Sequence, residues 1–182
     1  MSDASWSAQI EFLADEKIYE HLVERSILEA KRLVRIASAN LKDVHLRSRG
    51  GSLLKRLAQF VREGGEVHIL HSGIPSGRFL ETLRTSGLAS QPGFSMKRCV
   101  RMHIKAVLID GHVVFLGSPN FTGAGLGAKS KRRRNFEIGL LSRDQRLFDL
   151  VERRFDEVWS GKACENCGRT DVCYEPLEEP QV

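Results

Sequence analysis

RMHIKAVLIDGHVVFLGSPNF, residues Arg101 to Phe121, reads as two short apolar strands joined at Asp110-Gly111, a favoured hairpin turn pair. A buried hairpin has no use for His103, Lys105, Ser118 or Asn120, because each polar group costs free energy when left dry and unpaired. Residues two apart on a strand share a face, so Arg101, His103 and Lys105 are expected to project together, with Met102, Ile104 and Ala106 opposite. An imidazole then stands beside an ammonium. Across the turn, Gly117 permits close backbone approach, Ser118 offers a hydroxyl and Asn120 an amide. Such donors suit an oxyanion with several oxygens, and an imidazole near its ordinary pKa of ~6.5 is a competent nucleophile or general base.

Outward from this stretch, helices and strands alternate on the N-terminal side. Asp15 to about Ala30 has helical periodicity, RLVRIAS follows as a strand, and Ser52 caps a second helix that reaches about Arg62. EVHILHS is a strand, Gly77 to about Thr85 a short helix, and GLASQPG a loop. Met96 to Ser118 accounts for the two hairpin strands, NFEIGLLS for a further strand, and Arg143 to Trp159 for an amphipathic helix. Alternation followed by adjacent strands predicts an α/β fold: a mixed β-sheet flanked by helices on both faces. Residues 1–160 read as one domain, and 161–182 as a cysteine-containing C-terminal tail whose last dozen acidic, proline-bearing residues are expected to be loose.

A chain of 182 residues suits a single core. No apolar run approaches the ~20 residues needed to span a bilayer, and the first residues lack the basic start and apolar stretch of a signal peptide. No membrane association and a cytoplasmic location are therefore expected. The net charge of +5 favours polyanionic partners, and its clustering is more informative than its size. Arg47 and Arg49, then Lys129, Lys131, Arg132, Arg133 and Arg134, fall in segments that read as loops.

His103, Lys105, Asp110, Gly117, Ser118 and Asn120 together spell H-x-K-x4-D-x6-G-S-x-N, six identities fixed over eighteen positions. This pattern resembles the signature of the phospholipase D superfamily, and the likeness extends from about Ile18 to Trp159. The resemblance implies a phospholipase D-like domain and a metal-independent phosphodiesterase, with no cofactor for catalysis. It implies that His103 attacks phosphorus to give a covalent phosphohistidine, while Lys105 and Asn120, with Ser118 near them, hold the nonbridging oxygens. It also implies that Glu137 accepts a hydrogen bond from the imidazole, and that Asp110 and Gly117 are structural members of the motif. Larger relatives carry the motif twice. With one copy here, the resemblance implies a homodimer that brings two His103 side chains to one site. His68 and His71, on opposite sides of a predicted strand, and His112 at the turn read as structural.

Lys129, Lys131, Arg132, Arg133 and Arg134 all lie within about fifteen residues of Asn120, where they could track flanking phosphates. Nucleic acid, DNA or RNA, is therefore the expected partner and a nuclease the expected enzyme. No helix-turn-helix or finger is present to read base edges, so nonspecific or structure-selective cleavage is expected. The alternatives are a catalytically silent nucleic-acid-binding module and a phospholipase D-type lipid phosphodiesterase.

Cys164 and Cys167 form a C-x2-C pair, Cys173 follows, and Cys99 is the remaining cysteine. The spacing suits a metal knuckle, and all four could meet in a structural zinc site, with an iron–sulfur cluster as a second option. Strand parity would put Cys99 on the face of His103, about 13 Å behind it at ~3.3 Å per residue. Reduced thiols, or a disulfide within the tail, are the competing readings.

Overall fold

Two parallel βα steps feed an antiparallel half-sheet, and the join between the halves carries the motif. The computed structural model describes residues 6–48 and 50–179; Arg49, one of the basic residues singled out above, lies outside them. Seven strands form one sheet: β1 (Ile10–Ala14), β2 (Leu33–Ser38), β3 (Glu66–His71), β4 (Phe94–Arg98), β5 (Ala106–Ile109), β6 (Val113–Gly117) and β7 (Ile138–Ser142), in the order β1-β7-β6-β5-β2-β3-β4. β2, β3 and β4 run parallel, and every other pairing is antiparallel. The helices are α1 (Glu16–Ile18), which continues as a π-helix over Tyr19–Ile27, then α2 (Leu53–Arg62), α3 (Gly77–Thr85) and α4 (Gln145–Trp159). None of the described helices is long and apolar enough to cross a membrane.

Strand parity splits the core in two. Val34, Ile36, Val67, Ile69, Val107, Ile109, Val113 and Phe115 point to one face, where they pack with Leu22, Val23, Leu54, Leu57, Ala58, Phe79 and Leu83 of the first three helical segments. Ala37, Leu70, Ala106, Leu108 and Val114 point to the other face, beneath Phe148, Phe155 and Val158 of α4. The mixed sheet with helices on both faces is therefore as expected. The helix starts read from sequence are capped as their residue types suggest: Ser52 Oγ accepts the Lys55 N–H at 3.2 Å, and Asp144 Oδ1 that of Leu147 at 2.8 Å.

Three elements differ from the sequence reading. The single helix expected from Asp15 is α-helical only over Glu16–Ile18 and then widens to π geometry, closed by the Leu28 N–H on the Val23 carbonyl at 3.0 Å. β1 is an additional edge strand whose Ile10 and Phe12 face outward, so it lacks the inward apolar alternation that announces a strand. Most consequential, Met96 to Ile109 is not one strand. β4 pairs with β3 while β5 pairs with β2, so the chain must leave the sheet between them, and it does so through residues 99–105, turned by the Met102 N–H on the Cys99 carbonyl at 2.9 Å. Arg101, His103 and Lys105 thus lie on this crossing segment and not on a strand face.

The last dozen residues are anchored as far as Glu178. Arg98 donates its backbone N–H to the Glu178 carbonyl at 2.9 Å and its Nη1 to the Glu178 carboxylate at 2.5 Å. The charge that made this tail look loose is what ties it to the end of β4.

Candidate active site

The hairpin turn fixes the site from behind. Asp110 sits at φ 54°, a left-handed conformation that Asp tolerates, and its carboxylate accepts the backbone N–H groups of Lys31, Arg32 and Leu33 at 2.7, 2.8 and 2.9 Å. Burial opposes the charge on Asp110, yet these three donors outweigh it and hold the carboxyl below the usual range. The motif aspartate is a clamp between β2 and the β5–β6 hairpin, about a strand's length from the histidine.

At the opposite end of these strands, Gly117 N–H bonds the Lys105 carbonyl at 3.2 Å, so the two halves of the motif close on each other. A Cβ on Gly117 would stand 2.6 Å from the Ile138 carbonyl and 2.9 Å from Gly139 Cα, which is why this position has no side chain. Lys105 Nζ lies 3.2 and 3.3 Å from the two ring nitrogens of His103 and 3.1 Å from its carbonyl oxygen. The imidazole itself is exposed. Burial lowers the Lys105 pKa, with the Glu137 carboxylate pulling the other way. Ser118 Oγ donates to Glu137 Oε2 and accepts the Ile138 N–H at 3.2 Å, while Asn135 Nδ2 donates to Glu137 Oε1 at 3.0 Å. Asn120 Oδ1 accepts the Asn40 N–H at 3.2 Å, which fixes the orientation of its amide.

One expectation needs correcting. Glu137 does not accept a hydrogen bond from His103 here; its oxygens are taken by Ser118 and Asn135, and the polar neighbour of the imidazole is Lys105. Glu137 is nonetheless within the site, braced by its N–H on Asp15 Oδ1 at 3.0 Å.

Residues 23–159 match the family described as "cardiolipin synthase, PLD-like domain", three quarters of the chain. The chain belongs to the phospholipase D superfamily. No curated protein matches it in sequence. Among solved structures it is similar to Nuc, a phospholipase D family member from Salmonella typhimurium, with a TM-score of 0.62 and 15% identity, covering 96% of this chain and 100% of Nuc. It is also similar to NucT from Helicobacter pylori, with a TM-score of 0.59 and 16% identity over 84% of this chain and 97% of NucT. A third likeness, TM-score 0.53 and 17% identity over 83% of this chain and 52% of the other, is to TrmBL2, an archaeal chromatin protein. At these identities the likenesses establish the superfamily fold.

The basic segment lies next to this superfamily site and is folded. Ser130 carbonyl accepts the N–H groups of Arg133 and Arg134 at 2.8 and 3.0 Å, and the Asn135 N–H bonds the Ala124 carbonyl at 3.1 Å. Lys129, Lys131, Arg132 and Arg133 are exposed, whereas Arg134 is turned inward onto Glu16. Of the five cations, four are exposed and one is a brace. Sequence reading missed Ser38, Asn40 and Asn135. Ser38 is buried, accepts the Phe121 N–H at 2.7 Å and donates to the Asn40 carbonyl at 2.8 Å, so the end of β2 holds the end of the motif. Polar residues just past the carboxyl end of a parallel strand are the signal that points to Ser38 and Asn40.

Proposed function

We propose that this protein is a metal-independent phosphodiesterase that cleaves nucleic acid as a homodimer. The observation that carries the reading is the convergence of His103, Lys105, Ser118, Asn120 and Glu137 at one end of the sheet, with exposed Lys129, Lys131, Arg132 and Arg133 on the adjoining segment. A ring nitrogen of His103 attacks phosphorus, the P–N bond forms as the P–O bond to the leaving oxygen breaks, and the leaving oxygen takes up a proton. Water then attacks the phosphohistidine, giving its proton to the base left when the leaving oxygen was protonated, and the P–N bond returns its electrons to the ring. Lys105 and the Asn120 amide neutralise the nonbridging oxygens as charge builds on the pentacoordinate phosphorus. Glu137, fixed by Asn135, sets the Ser118 hydroxyl.

One chain supplies one such histidine, so the proton donor to the leaving oxygen is His103 of a second copy. Supporting that reading, β1 and β7 beside the site leave Phe12 63% and Ile138 56% exposed, and Phe136, just ahead of β7, is 96% exposed. Exposed apolar residues of this kind, at the mouth of an incomplete site, are what a two-fold partner covers.

The test offers labelled single- and double-stranded DNA and RNA alongside phospholipid vesicles, and sediments the protein in parallel. Oligonucleotide cleavage by a dimer, with intact vesicles, is the expected result. Cleavage of vesicle lipid alone overturns the nucleic-acid assignment, oligonucleotide binding without cleavage overturns the enzyme assignment, and a fully active monomer overturns the shared site. The description "cardiolipin synthase" for the matching family is the observation that keeps the vesicle arm necessary.

A further inference from the structure

The tail returns to the crossing segment that carries His103, and three of the cysteines line one cavity there. Cys99, Cys164 and Cys167 line one cavity together with Arg101, His103 and Val158. Cys99, from the domain, is tied to the sheet by its N–H on the His71 carbonyl at 2.8 Å, and Cys164 and Cys167 come from the tail just after α4. Cys173 lines a second cavity with Arg98 and Val100, the residues on either side of Cys99, and its backbone N–H bonds the Arg169 carbonyl at 2.9 Å, just after the Cys164–Cys167 turn. All four cysteines are unpaired and half-buried.

The local backbone has the form of a metal knuckle. Cys167 N–H bonds the Cys164 carbonyl at 3.0 Å, closing the C-x2-C turn, and Gly168 follows at φ 64°. Two donors already point at the Cys167 sulfur: the Arg101 guanidinium, with Nη1 at 3.2 Å, and the Arg169 backbone N–H. N–H groups aimed at a sulfur are the outer shell that a thiolate bound to a cation takes. Four thiolates on a divalent ion carry a net charge of −2, half of which the guanidinium of Arg101 offsets. Among the described residues no three His, Cys, Asp or Glu side chains yet stand at coordination distance. The cysteines occupy a single 3₁₀ turn and loops, the parts of the chain that close on an ion with least disruption.

We infer that Cys99, Cys164, Cys167 and Cys173 bind one Zn²⁺ ion, with Arg101 as outer-shell donor, and that this ion fastens the tail to the segment bearing His103. The thiolate-only donor set selects zinc over magnesium or calcium. The inference does not depend on the phosphodiesterase reading.

The full chain is purified reduced, freed of metal and titrated with Co²⁺, then with Zn²⁺. The expected result is the intense visible absorption and thiolate-to-cobalt charge transfer of a tetrahedral sulfur site, displaced by Zn²⁺ at about one ion per chain. Cys99→Ser and Cys164→Ser lose the signal, whereas His103→Ala keeps it. Should the cysteine variants fail to fold, the cobalt titration of the unaltered chain decides. Absence of charge transfer overturns the inference, as does iron with sulfide in the isolated protein, or a thiol titration that finds the tail cysteines joined in a disulfide.

Discussion

Replacing Asp110 separates architecture from chemistry within the motif. Its carboxylate holds three backbone N–H groups at 2.7–2.9 Å, two of them solvent-exposed and one half-buried. Hydrogen bonds to a charged group contribute ~1.5–3 kcal/mol each when dry, and the two wet ones deserve only a fraction of that, so the set amounts to about 2 kcal/mol. Alanine also inherits φ 54°, which adds about 1 kcal/mol for an L-residue in the left-handed region. Asp110→Ala should therefore lose about 3 kcal/mol, roughly 6–12 °C in Tm for a chain of this size. Asp110→Asn keeps the tolerated φ and an acceptor for two of the donors, so it should lose about 1 kcal/mol. Urea denaturation followed by circular dichroism at pH 7 and at lower pH measures both. Because the folded carboxyl lies below its ordinary value of ~3.9, its contribution is complete above that value and vanishes as pH falls through the folded one. The gap between wild type and Asp110→Asn should close in acid. Equal stability of the Ala and Asn variants at pH 7, or a gap independent of pH, would refute the clamp.

Gly117→Ala should destabilise by at least ~2 kcal/mol in the same assay, because the contact of its Cβ at 2.6 Å is with backbone; a neutral substitution would mean that β6 and β7 are further apart than described. In salt titrations of oligonucleotide binding, changing Lys131, Arg132 and Arg133 to Ala together should flatten the log–log slope by about 2 on single strands, whereas Arg134→Ala should lower stability and leave the slope nearly unchanged. An unchanged slope in the triple variant would remove this segment from the binding surface. Burial pushes the His71 imidazole below its ordinary value, against a partly offsetting bond from Nδ1–H to the Gly73 carbonyl at 2.9 Å. The unfolded chain then takes up a proton near pH ~6.5 that the folded chain refuses, so stability should fall below that pH, and His71→Asn should lessen the fall. A wild-type stability flat from pH 7 to 5 would contradict this.

Much of the site could be read directly because its determinants are local. Asp110-Gly111 announces its turn, Ser52 and Asp144 announce their helices, and the spacing from His103 to Asn120 is a single hairpin's length. What escaped depends on distant partners. The crossing at residues 99–105 is dictated by β4 and β5 pairing on opposite sides of the β2–β3 pair, which the apolar pattern of Met96 to Ile109 does not reveal. Asn40 reaches Asn120 across eighty positions, and Asp15 reaches Glu137 across more than a hundred. The Ser118 and Asn135 partners of Glu137 escaped for the same reason: hydrogen bonds between side chains are settled by a few tenths of an ångström, below what spacing in sequence resolves.

Single-turnover cleavage of a labelled oligonucleotide in excess EDTA, by the wild-type protein and by His103→Ala, tests the central claim most directly. Cleavage that survives the chelator and falls by at least ~10³-fold in the variant is the predicted result. Cleavage abolished by EDTA and restored by Mg²⁺, or retained by His103→Ala, would contradict the account.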